Sequence, residues 1–201
     1  MISMSGVDLF LEDLKRQCKQ HKIKLIFGRG RTVLIEGSIR STGYFDSGER
    51  ELAIGKNRPD WLQLLVHESC HIDQWVENTK VWRDEDKLGN DVLDKWLLGK
   101  DFDRRKVKRA LNNIIRLELD CERRAIQKIS EYDLPINTCT YIQKANAYLF
   151  YHHRVFQKRL WQPGVYESTI ITNAMPNKML SNDSYLRMPN KLEKYFIAGG
   201  F

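Results

Sequence analysis

The chain has 201 residues, enough for one domain with an elaboration, and its 42% hydrophobic content suffices to bury a core. Its 33 Lys and Arg outnumber its 26 Asp and Glu for a formal charge of +7, but the basic residues fall in short clusters such as "RRKVKR" (104–109), mixed with apolar residues; they read as solvated helix faces and point away from a nucleic-acid partner. No apolar run approaches the roughly 18 residues that a membrane span needs, and Cys18, Cys70, Cys121 and Cys139 form neither a CxxC pair nor a disulfide-dense pattern, so with no leader-like N-terminus the expected setting is a reducing cytoplasm.

Ser5 with Asp8 three positions on reads as a capping box, and Val7, Leu11, Leu14 and Cys18 recur at helical spacing, predicting an amphipathic helix over 6–21. Up to residue 55 the pattern changes. "IKLIF", "TVLIE", "STGYF" and "RELAI" are short, rich in β-branched or aromatic residues and separated by turns such as "DSGE", predicting a small, mostly antiparallel sheet. Pro59 and Asp60 open a helix over roughly 60–78. Residues 79–103 are highly charged, with one short helical patch ended by Gly99, and read as a surface insertion. A long helix over 104–130 stops before Pro135, and another, capped by Asn137 or Thr138, runs to about Leu160. The expected fold is α+β: a small sheet followed by a helical part, forming one domain over 1–164, with 165–201 an irregular C-terminal extension.

The stretch "LLVHESCHIDQW", 64–75, lies on the second of these predicted helices. Positions i and i+4 share a helix face, so His67 and His71 can direct their rings at one ion while Glu68 sits to the side. On the long helix, Val107, Leu111, Ile114, Ala125 and Ile129 form one stripe, and Glu118, Cys121 and Glu122 fall within it. Two carboxylates therefore face the interior, where they need a cation, a proton or hydrogen-bond donors. A zinc ion would supply the cation. Two imidazoles and one carboxylate leave a fourth tetrahedral position for water, as catalytic zinc requires, and Glu68 would take that water's proton as it attacks a peptide carbonyl.

"HESCH" with the later "ELDCE" resembles the gluzincin metallopeptidases, the thermolysin-like zincins. The resemblance implies that His67 and His71 are the first two zinc ligands, Glu68 the general base, Glu118 the third ligand and Glu122 the acid that orients a ligand imidazole. Glu122 stands where that family usually has Asp, leaving open which of the two acids is the ligand. "ELDCERRA" is similar to a segment of the ImmA/IrrE metallopeptidases, over about residues 25–130, and the wider pattern resembles zincin-like proteins of tailed bacteriophages. These likenesses imply a zinc hydrolase acting on a protein or peptide, in a host cytoplasm.

Several side chains carry two readings. Cys70 and Cys121, three residues after His67 and Glu118, read as small packing residues, although a thiolate ligand would give a closed, structural site. Tyr148 and His152 share a face on the later helix and are candidate donors to a developing oxyanion, against a packing role for an aromatic stripe. Gln74, on the His67/His71 face, is a candidate partner of a ligand imidazole. "RELAI" is the expected edge strand for an extended substrate. The rival to the enzyme is a zincin-fold binding or structural protein that keeps a metal without turnover.

Overall fold

The computed structural model describes residues 4–35 and 39–201; Glu36, the end of the expected strand "TVLIE", lies outside them. In chain order the elements are α1 (Gly6–Gln20), β1 (Lys24–Gly28), β2 (Val33–Ile35), β3 (Ile39–Ser41), β4 (Gly43–Asp46), β5 (Glu51–Gly55), α2 (Trp61–Val76), α3 (Lys80–Lys87), α4 (Asn90–Leu97), α5 (Arg104–Glu131), α6 (Thr138–Lys158), α7 (Thr169–Thr172), a 3-10 helix (Asn182–Leu186) and α8 (Asn190–Ala198). The fold is α+β, as expected. It divides into two compact units, Met1–Thr79 with Arg124–Ile136, and Lys80–Arg123 with Asn137–Phe201, so α5 belongs to both.

In the first unit, α1 starts at the predicted capping box: Asp8 N donates to Ser5 Oγ at 3.2 Å and Ser5 N donates to the Asp8 carboxylate at 3.3 Å. Its buried stripe is Phe10, Leu14 and Cys18. The three-stranded sheet has the order β1-β5-β4, with β1 parallel and β4 antiparallel to β5. Between β4 and β5 the Asp46 carboxylate accepts from Gly48 N and Glu49 N at 2.8 and 3.0 Å, closing the turn that "DSGE" announces. The strands β2 and β3 form a separate antiparallel pair.

Strand β5 occupies the centre of its sheet, which corrects the expectation that "RELAI" is an edge. Leu52, Ala53 and Ile54 are consecutive and all buried, the signature of a strand covered on both faces and hydrogen-bonded on both sides. The edge is β4. Helix α2 packs on β4 and β5 through an apolar face that includes Leu62, Leu65, Val66 and Ile72. Gly55 ends β5 where the backbone at Arg31 approaches so closely that a Cβ would lie 2.5 Å from the Arg31 carbonyl oxygen.

The second unit has its own core, built from Val107, Leu111 and Ile115 of α5 and Leu149, Phe150 and Val155 of α6. Two expectations change here. Residues 79–103 form α3 and α4, and Val92 and Leu93 are buried, so the segment is more than a surface insertion. Residues 165–201 fold as α7, the 3-10 helix and α8, with Ile171, Tyr185, Leu192 and Phe196 in the core, so they are an integral part of this unit and residue 164 is no boundary.

A buried polar network pins this tail. Asn146 Nδ2 donates to the carbonyls of Pro176 and Lys178 at 2.8 and 3.1 Å, and the Tyr185 hydroxyl donates to Asn146 Oδ1 while accepting from Leu180 N at 2.9 Å. Asn146→Leu would strand these partners, at about 1–3 kcal/mol for each buried group left unpaired. A lowered denaturant midpoint at unchanged m-value is the expected result.

Candidate metal centre

Helix α2 presents His67 and His71 one turn apart, their rings 4.9 Å between centroids and nearly perpendicular at 86°. His71 Nδ1 lies 2.8 Å from Gln74 Oε1. An amide oxygen only accepts, so in this hydrogen bond Nδ1 is the donor and Nε2 is the ring nitrogen that carries the lone pair. Gln74 is fully buried, so its carboxamide, three residues on, fixes the ring as well as its tautomer. Gln74→Leu should therefore weaken metal binding about 10- to 100-fold with the fold intact, read by competition against a chelator.

The third donor is a thiol. Among the described residues one group could hold a metal: ligand atoms of His67, His71 and Cys121 all lie within 4.8 Å of one another. Cys121 is buried on α5, in the turn before that helix's portion in the first unit. Two imidazoles and one thiolate form a nitrogen-sulfur set that suits zinc and leaves one tetrahedral position over. Glu118 and Glu122 lie on the same buried stripe of α5, at 7% and 4% exposure, but are not members of that group. Cys70 also stays outside it; its Sγ donates to the Val66 carbonyl at 3.2 Å, so the two cysteines that looked alike in the sequence differ in place.

Glu68 is half-buried between the two imidazoles in sequence and makes no hydrogen bond or ion pair among the described residues. Its Cγ lies 3.7 Å from where a Cβ on Gly43 would stand, so it borders the edge strand β4, where a side chain would also press on Ile54 Cδ1 at 2.5 Å. Glycine keeps that approach open.

Tyr148 and His152 sit in an aromatic cluster of the second unit. The rings of Tyr148 and His152 are 4.7 Å apart, Trp161 lies 5.9 Å from His152, and Tyr166 lies 5.2 Å from Tyr148. His152 Nδ1 donates to the Tyr148 carbonyl at 3.0 Å, and burial pushes its pKa down to about 4. His153 Nε2 donates to the Tyr185 carbonyl at 2.8 Å while Lys108 Nζ donates to its Nδ1 at 3.2 Å; burial again brings it to about 4. Both imidazoles are therefore neutral in the fold near pH 7.

A pH dependence follows with a definite sign. Between the ordinary value of 6.5 and about 4 the unfolded chain binds these two protons and the folded chain does not. Stability is full above about pH 6.5 and falls as the pH drops toward 4, by at most about 1.4 kcal/mol per pH unit for each imidazole. Denaturation midpoints measured at pH 7 and pH 5 should show the loss, and His152→Gln with His153→Gln should flatten it.

No helix among the described residues is long and apolar enough to cross a membrane. Compared with protein-family models, curated proteins and solved structures, the chain matches none.

Proposed function

We propose that the chain is a zinc metallopeptidase in which His67, His71 and Cys121 hold the ion and Glu68 is the general base. One observation supports this reading above the others: Glu68, which has no partner among the described residues, lies between the two imidazoles in sequence and borders the edge strand β4. A structural pair of histidines has no need of it.

When bound, zinc supplies a Lewis acid that polarises a carbonyl and brings the pKa of water near neutrality. The chain's own residues do the rest. Gln74 holds His71 with Nε2 outward. Glu68 accepts a proton at its carboxylate from the attacking water and returns it to the leaving amine. The outer edge of β4 offers main-chain donors and acceptors to an extended peptide, which fixes the scissile bond without demanding particular side chains. Hydrolysis of a quenched fluorescent peptide library that stops on chelation and returns with zinc is the expected result; a library untouched by the zinc-loaded chain would contradict it.

The second reading, a zincin-fold binding or structural protein, draws on Cys121, because thiolates are the commonest donors of closed structural zinc sites. Cobalt substitution separates the two. A spectrum that shifts on adding a small anion such as azide indicates an open position and an enzyme; one that does not respond indicates a closed site. Either reading places the chain in a reducing setting, including the cytoplasm of a phage-infected host.

A further inference from the structure

The second unit carries a groove of about 680 Å³ formed wholly by the tail, with Met175, Pro176, Leu180 and Leu192 supplying an aliphatic floor. Arg187, Lys191 and Lys194 stand on its rim against one carboxylate, Asp183. Among the described residues none of the three cations pairs with an acid, and Lys194 lies over the Tyr195 ring at 5.0 Å. The walls are fixed from beneath. Asn146 holds the backbone at Pro176 and Lys178, Gln143 Nε2 donates to the Met175 carbonyl at 3.2 Å, and Arg123 donates to Asn182 Oδ1 and the Leu180 carbonyl at 2.6 and 2.9 Å. A groove so braced does not have to be ordered when something enters it.

We propose that this groove docks an acidic segment of a partner protein, one that buries an apolar side chain on the floor and sets its carboxylates against Arg187, Lys191 and Lys194. Charge complementarity chooses the sign of the occupant. The floor chooses its class: nucleic acid asks for open aromatic faces on which bases stack, and here the floor is aliphatic while Lys194 covers the Tyr195 ring. A second copy of the chain, itself at +7, meets a like-charged rim. The proposal rests on the second unit alone and stands or falls apart from the metal.

The test is fluorescence anisotropy of the full chain with a labelled synthetic peptide of Asp and Glu carrying a pair of leucines. Binding should weaken when the leucines become alanines, weaken with added salt, and vanish for the peptide with lysine in place of its acids. Arg187→Glu, Lys191→Glu and Lys194→Glu together should weaken it at least tenfold. All three side chains are exposed, so the fold should not suffer. Leu180→Asn gives an independent variant of the floor. Equal binding of the charge-reversed variant, indifference to the leucines, or tighter binding by a single-stranded oligonucleotide that displaces the peptide would each overturn the proposal.

Discussion

Glu68→Gln should retain its zinc and lose peptide hydrolysis by roughly a hundredfold to ten-thousandfold, the range spanned by a positioned general base. The substitution changes little else. Glutamine has the same shape, Glu68 has no partner among the described residues to orphan, and the side chain is only half-buried, so stability should move by less than about 0.5 kcal/mol. The loss should appear in kcat and kcat/KM alike, because the proton is taken in the transition state and not on binding. Metal content measured on the same preparation separates this from a collapsed site. A Glu68→Gln protein that cleaves as fast as the parent would sink the enzyme reading.

The second large effect concerns stability. Phe196→Ala should cost about 3–5 kcal/mol, the cost of emptying a fully packed aromatic site. Phe196 lies on α8 with no exposure and shares its core with Ile171, Tyr185 and residues of α5 and α6. Because the chain has two compact units, its unfolding should be followed by tryptophan fluorescence and circular dichroism together, and their transitions compared. A loss below about 1 kcal/mol would mean that residues 165–201 are a detachable extension after all.

That tail is where the sequence was least legible. Its buried apolar residues, Val165, Ile171, Met175, Tyr185, Leu192 and Phe196, follow no common period, since short helices and loops alternate, and periodicity detects only faces that repeat. In α4 the helical patch ended by Gly99 was legible, and charge hid only its burial: Asp91, Asp94 and Lys95 surround the buried Val92 and Leu93. Where one local signal decides an element, the reading came close. The Ser5 capping box sets the start of α1, and Asn137, whose side chain accepts from Thr140 N at 2.9 Å, sets that of α6.

In the site, the helix period brought His67 and His71 to one face and turned Glu118, Cys121 and Glu122 inward, and all three of the latter are buried. It could not choose among those three. Residues 118, 121 and 122 share a stripe, and only side-chain length and the position of the facing element decide which donor reaches the imidazoles. The His71–Gln74 hydrogen bond follows from the i, i+3 spacing, but its donor and acceptor needed coordinates.

The measurement that tests the central claim most directly is zinc content by elemental analysis on the parent, His67→Ala, Cys121→Ala and Glu118→Gln proteins, purified without added metal at equal concentration. The account predicts close to one zinc per chain in the parent and in Glu118→Gln, and its loss from His67→Ala and Cys121→Ala. Zinc kept by Cys121→Ala and lost by Glu118→Gln would return the third position to the carboxylate. A parent that holds no zinc even when it is offered would contradict the account and leave "HESCH" as a helix with two histidines.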